Sequence, residues 1–300
     1  MNKKWYRNRM GWLPDYPDFR DFTSEHQKIR PLLQNSVKSV GVQGQSKIKT
    51  ETVTAIDLRQ WCPPIENQEE LGSCTANAAV GLVEYFERRA FEKHIDASRL
   101  FLYKTTRNLL HLTGDTGAFL RSAIEALILF GVPPEEYWPY DIDKFDNEPP
   151  VFCYSFAQNY KTVNYFRLDP PGTTRPGLLK EIKSKLSAGI PSIFGFTVYD
   201  SIEQAESDGK IPFPTSGEQV VGSHALMAVG YDDKIKTGNK NDAKITHTGA
   251  ILIRNSWGTE WGDQGYGWLP YEYILKGIAV DWWSILKSEW VDTEIFEEME

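Results

Sequence analysis

Three side chains stand in segments that could activate them. Cys74 opens an apolar stretch of helical spacing in Asn67-Gln68-Glu69-Glu70-Leu71-Gly72-Ser73-Cys74-Thr75-Ala76-Asn77-Ala78. At a helix N-terminus the macrodipole and the unpaired N–H groups favour thiolate over thiol, and the thiolate is the nucleophile. Taken alone, this cysteine is equally well explained as a buried structural residue. His224, in Gly222-Ser223-His224-Ala225-Leu226-Met227-Ala228-Val229-Gly230-Tyr231, sits at the mouth of an apolar strand. A lone histidine there is more often a satisfied core residue than a base. Asn255 lies in Arg254-Asn255-Ser256-Trp257-Gly258, where the bland reading is a turn. Its carbonyl could accept from the Nδ1–H of a histidine and hold Nε2 towards sulfur. Trp257 could shield that bond from water.

Together the three segments resemble the papain family of cysteine peptidases, which carries Gln, five residues, Cys, then a His segment and Asn-Ser-Trp-Gly. Gln68 stands six positions before Cys74, His224 lies 150 beyond it, and Asn255 follows 31 later. Gly114-Asp115-Thr116-Gly117-Ala118 is similar to the glycine turn that pairs with extended substrate, and Glu135-Glu136-Tyr137-Trp138-Pro139-Tyr140 to the Glu-x-x-Tyr-Pro-Tyr segment. The resemblance implies an α+β papain-like two-lobe fold: a helical lobe carrying Cys74, a β-barrel lobe carrying His224 and Asn255, and a cleft between.

It also implies a cysteine-type endopeptidase working through a Cys74-His224-Asn255 triad, a Cys74–His224 ion pair at rest and a thioacyl-enzyme. Gln68 and the Cys74 N–H would form the oxyanion hole. Gly117, Ala118 and Trp257 would contact a peptide or protein substrate, with a subsite lined partly by the Ala279–Trp283 region. No metal or other cofactor is implied. Leu71, Thr75, Asn77 and Ala118 depart from the commoner family residues and point to a prokaryotic-looking branch. Two other readings stay open. The same triad could serve an acyl transferase or peptide ligase, or the scaffold could bind peptides without catalysis.

The chain that must position these groups has 300 residues, enough for two small lobes, and 41% hydrophobic residues. Its formal charge of −8 argues against nucleic acid as the partner. Residues 1–54 hold ten Lys and Arg against five Asp and Glu, a net of +5, which leaves −13 for the rest. Three cysteines, Cys62, Cys74 and Cys153, make no disulfide framework and no metal spacing. The basic N-terminus has no apolar run behind it, and no membrane span is visible, so the expected compartment is a reducing cytoplasm.

Helical spacing predicts helices over 71–91, with Ser73 as N-cap, over 118–129 and over 176–188. Short apolar runs predict strands at 193–198, 225–231, 250–254 and 265–269. The polar stretch 232–248 reads as a long exposed hairpin loop. The expected organisation is an extension and linker over 1–54, a helical lobe over 55–160, a barrel lobe over 161–290 and an acidic tail over 291–300. Within the extension, 34–50 reads as linker. Before it, Gly11-Trp12-Leu13-Pro14-Asp15-Tyr16-Pro17-Asp18-Phe19-Arg20-Asp21-Phe22 is a proline-stiffened aromatic patch. Its four aromatics and the segment's basic charge suggest a pro-segment that docks in or beside the cleft.

Overall fold

The computed structural model describes residues 10–39, 53–160 and 164–286. The acidic tail and the expected linker beyond Ser39 lie outside the described residues. The helices are α1 (Arg30–Ser39), α2 (Cys74–Phe91), α3 (Arg99–Leu109), α4 (Leu120–Leu129), α5 (Val151–Ala157), α6 (Arg175–Ser187) and α7 (Glu272–Leu275). The strands are β1 (Ala55–Asp57), β2 (Asn164–Arg167), β3 (Ser192–Tyr199), β4 (Val220–Asn239), β5 (Asp242–Arg254), β6 (Tyr266–Pro270) and β7 (Ala279–Leu286). The strands form an antiparallel sheet in the order β2-β7-β3-β4-β5-β6, and β1 pairs with β4. Helices come first and most strands later, the α+β arrangement expected.

Helix α2 is the axis of the molecule. Sixteen of its eighteen residues are buried, because it packs on α3 and α4 on one side and on β3 and β4 on the other. Arg88 and Arg89 in its last turn complement the negative end of its dipole. Glu92 ends it in the left-handed conformation, φ 52°, its N–H bonded to Arg88 O. Sequence spacing placed this helix correctly but started it three residues early. Ser73 is the N-cap residue, yet its side chain makes no capping bond; its Oγ meets Tyr140 OH at 2.7 Å and accepts from Asn77 Nδ2 at 3.0 Å. The predictions over 118–129 and 176–188 match α4 and α6. Thr174 caps α6 by accepting from Gly177 N at 3.2 Å.

Several elements differ from expectation. The stretch 232–248 is regular: β4 and β5 run through it as one long hairpin that turns at Lys240–Asn241. Its polar composition hid a ladder that backbone hydrogen bonding sustains. Residues 34–39 belong to α1 and not to a linker. β1, at the start of the expected helical lobe, pairs into the sheet instead. Among the four aromatics of the N-terminal patch, Trp12 is buried and Phe22 stacks on His26 and Tyr165, whereas Tyr16 and Phe19 stand in solvent at 88% and 92% exposure.

The patch is anchored electrostatically, with the opposite polarity to that expected from net charge. Asp15 and Asp21 of the segment bind Arg121 of the body at 2.7 and 2.8 Å. Farther along, Arg167 N bonds to Phe22 O at 2.7 Å, and Ile29 and Leu33 enter the core. The extension is therefore two things: an extended stretch around Trp12 that makes one β-bridge to Ala118, and a stretch from Phe22 to Leu33 that sends Ile29 and Leu33 into the core.

Candidate active site

Cys74 is the first residue of α2 and is fully buried. Its sulfur faces the backbone N–H groups of Ala225, Gly11, Thr75 and Cys74 itself. Ala225 follows His224 on β4, so the hairpin brings the histidine beside the helix start. Asn255 stands at the end of β5, one strand over, where its N–H is held by Gly265 O at 3.0 Å.

The hydrogen bonds decide the histidine tautomer. Asn255 Oδ1 accepts from the backbone N–H of Ser256 at 2.8 Å, and that donor requires an oxygen opposite it. The same oxygen lies 2.8 Å from His224 Nε2, so Nε2 carries the hydrogen. The neutral ring then keeps its lone pair on Nδ1, which is buried and has no hydrogen-bond partner among the described residues. This corrects the sequence-based expectation, which gave Asn255 the Nδ1–H and turned Nε2 to sulfur. Strand geometry, which sequence spacing does not contain, turns the ring the other way. Trp257 stacks on the imidazole, centroids 4.6 Å apart and planes 22° from parallel.

Gln68 joins the two lobes. Its N–H bonds to Ser256 O at 2.8 Å and its Oε1 accepts from Ser256 Oγ at 2.5 Å. Its Nε2 donates to Leu71 O at 2.8 Å. Tyr140 OH donates to Gln68 O at 2.9 Å and meets Ser73 Oγ, so the Gln68 loop and the start of α2 are tied together.

On the other side of Cys74, Asp115 Oδ1 takes the Gly72 N–H at 3.0 Å and the Tyr103 hydroxyl at 2.5 Å. The Tyr103 hydroxyl in turn accepts the Gly117 N–H at 3.0 Å. Asp115 and Tyr103 thus hold Gly72 and the Gly117–Ala118 turn together. Neither was singled out from sequence, although Asp115 lies inside the glycine-turn motif.

The space along that turn is filled by the chain itself. Ala118 N donates to Gly11 O at 2.8 Å, Leu13 N donates to Ala118 O at 2.9 Å, and Ser223 Oγ donates to Trp12 O at 2.5 Å. The bridge between Trp12 and Ala118 is parallel. Approach is so close that a Cβ on Gly11 would stand 1.8 Å from Gly72 O, and one on Gly117 would stand 2.2 Å from Gly11 O. Residues 10–13 therefore form a strap across Cys74. Beside Trp257 an open cleft of about 500 Å3 remains, lined in part by Asn67, Glu206, Thr259 and Trp261; no strap residue lines it.

Enclosure sets the charge state. Burial pushes the Cys74 thiol up to about 11, against the pull of the surrounding backbone N–H groups. Burial pushes His224 down to about 4, against the Asn255 bond. Under the strap burial favours the neutral thiol and the neutral ring over the ion pair that the resemblance implies. The physical reason is the removal of water from both. The other two cysteines are also free and buried. Among the described residues no cluster of His, Cys, Asp or Glu could hold a metal ion, and no helix is long and apolar enough to cross a membrane.

Known proteins agree with this architecture. The family model described as papain family cysteine protease matches residues 52–279. An uncharacterized peptidase C1-like protein of Acanthamoeba polyphaga mimivirus is 32% identical over 284 residues, covering 92% of this chain and 86% of that one. The crystal structure of xylellain, a cysteine protease from Xylella fastidiosa, superimposes with a TM-score of 0.70 at 32% identity, covering 92% of this chain and 95% of that one. The ragweed pollen allergen Amb a 11, a cysteine protease solved in its proform, shares the fold at 20% identity and a TM-score of 0.58, over 80% of this chain and 68% of its own. The chain belongs to the papain family of cysteine proteases, and it is a cysteine peptidase.

Proposed function

We propose that the chain hydrolyses peptide bonds through Cys74, His224 and Asn255, and that the strap at residues 10–13 keeps it latent. The observation that carries the reading is the double role of Asn255 Oδ1, which leaves Nδ1 of His224 as the base beside a cysteine at a helix N-terminus. When water or substrate replaces the strap, the desolvation that holds both groups neutral is relieved. The Cys74 proton then passes to Nδ1, and the thiolate attacks the peptide carbonyl. The S–C bond forms as the carbonyl electrons move to oxygen. The Cys74 N–H and one N–H of Gln68 stabilise that oxyanion, each such donor being worth about 3–4 kcal/mol of barrier. Collapse breaks the C–N bond while His224 returns its proton to the amine. Water attacks the thioester with His224 as base, releasing the acid and restoring the thiol.

The substrate would lie along Gly117 and Ala118, where Gly11 and Leu13 now bond, with its leaving group towards Trp257. Strap and substrate compete for the same donors and acceptors, so latency follows from occupancy. The test compares hydrolysis of a peptidyl coumarinamide by the full chain before and after limited proteolysis between residues 40 and 52, with Cys74→Ala alongside. Hydrolysis that needs Cys74 and rises on cleavage is the expected result. Equal hydrolysis by Cys74→Ala would overturn the reading.

A further inference from the structure

The strap carries its own ligand into a pocket, and that ligand reports the pocket's chemistry. Trp12 is 2% exposed. Its indole lies on the backbone of Gly195 in β3, where a Cβ would stand 1.9 Å from ring atom Cε2, so glycine is what makes the pocket deep enough. At the far end the indole Nε1–H donates to Asp281 Oδ2 at 3.0 Å.

Asp281 is fully buried and deliberately held. It adopts the left-handed conformation, φ 63°, within β7. Asp169 fixes that turn by accepting from the N–H groups of Asp281 at 2.8 Å and Trp282 at 3.1 Å. Arg167 bridges the two carboxylates, with Nε on Asp169 at 2.8 Å and Nη1 on Asp281 Oδ1 at 3.1 Å. Trp283 Nε1 donates a hydrogen bond to Oδ1 at 2.7 Å. The protein body therefore supplies the Trp283 donor and the Arg167 charge to Oδ1, while the Oδ2 bond comes from Trp12. A non-glycine residue held in a sparsely populated conformation by its surroundings is a mark of a functional position.

We propose that Asp281 makes this pocket selective for tryptophan, so that the peptidase prefers substrates that place tryptophan opposite Ala118. The proposal rests on the peptidase reading of the cleft. The indole combines a flat apolar body for the Gly195 floor with an N–H for Oδ2. An aliphatic side chain or a carbocyclic aromatic fills the floor and leaves a buried carboxylate oxygen without that donor. A hydrogen bond to a charged group is worth enough that its loss lowers kcat/KM at least about tenfold. The same bond explains why the strap itself carries tryptophan at position 12.

The experiment uses the full chain with Trp12→Ala, which removes the indole from the pocket, after limited proteolysis between residues 40 and 52, the treatment that releases the strap backbone from the cleft. Acetyl-Xaa-Gly-aminomethylcoumarin substrates carry tryptophan, 2-naphthylalanine or leucine at Xaa. Assays are run at pH 7.5, above the value of about 6 to which burial raises the Asp281 carboxyl. Tryptophan should exceed naphthylalanine, its closest match in size, by at least about tenfold. Adding Asp281→Asn should abolish that advantage. The Trp283 donor and the Arg167 charge keep the amide oxygen at the Oδ1 position, so the amide NH2 faces the pocket in place of an acceptor. Equal cleavage of naphthylalanine and tryptophan, or an advantage that survives Asp281→Asn, would overturn the proposal. Calorimetric binding of the acetyl-Xaa-glycinamides to the same variants reads the pocket without turnover. If no substrate is cleaved while tryptophan still binds best, the peptidase reading fails and the pocket assignment stands. If the amides bind equally, the assignment fails.

Discussion

His224 Nε2 and Asn255 Oδ1 stand 2.8 Å apart, and the same oxygen takes the Ser256 N–H at 2.8 Å. One side-chain oxygen therefore sets both the orientation of the imidazole and its tautomer. Asn255→Ala removes the orienting acceptor while the β5 backbone, held by Gly265, stays in place. We expect kcat on a small peptide to fall about a hundredfold, within the range that general base catalysis supplies, with an unchanged circular dichroism spectrum. An unchanged kcat would reduce Asn255 to a turn residue.

Cys74 is expected to be the sole catalytic thiol. Cys74→Ala should abolish peptide hydrolysis. Cys62→Ser and Cys153→Ser should keep most of it, because both sulfurs lie away from the cleft, against Leu58 O at 3.7 Å and Tyr137 O at 3.5 Å. Burial also pushes the Cys62 thiol up to about 11, which makes it inert at neutral pH. Mass spectrometry after brief treatment with a peptidyl epoxide should find the label on Cys74 once the strap is displaced, and label on either other cysteine would contradict this.

Gly11→Ala tests latency with one methyl group. The new Cβ would stand 1.8 Å from Gly72 O, a backbone atom that cannot swing aside. Overpacking of this kind costs about 1–3 kcal/mol, so the strap should lift and Cys74 should alkylate with iodoacetamide about tenfold faster or more. Turnover of a small substrate should rise in parallel. Ile29 and Leu33 remain in the core of this variant. A lower melting temperature with no gain in either rate would mean that the strap is only structural.

Acid should weaken the closed form through His224. Burial depresses its pKa in the folded chain to about 4, from 6.5. The neutral ring therefore contributes stability that is present above pH 6.5 and is lost as pH falls from 6.5 towards 4. At pH 4.5 the loss amounts to about 2–3 kcal/mol. Urea unfolding at pH 7.5 and 4.5 should show wild type losing that much more than His224→Gln. Equal losses would mean that the ring is not held neutral.

The family motifs were legible because their chemistry is local. A cysteine at the start of an apolar helix, a glutamine six positions earlier and an Asn-Ser-Trp-Gly turn are visible without coordinates, and so is the 3.6-residue period of α2. Elements built on backbone pairing were harder to read. The 232–248 hairpin is polar, and its strands are sustained by a ladder that side-chain pattern does not reveal. Trp12 stood out as an aromatic on a stiffened chain, but Tyr16 and Phe19 carry the same local signal and lie in solvent.

By itself the sequence determined the class of chemistry, the four residues proposed to carry it and the order of helices before strands. Those follow from residue type and short-range spacing. The tertiary structure decided the rest. It turned Nε2 and not Nδ1 to Asn255, because only the β4–β5 register sets how the ring meets the amide. It put Gly11 against Cys74 and pushed Cys74 and His224 towards their neutral forms, because desolvation depends on what covers a group and not on its neighbours in the chain. It brought Asp281 to Trp12 across 269 residues, a pairing that no local pattern contains.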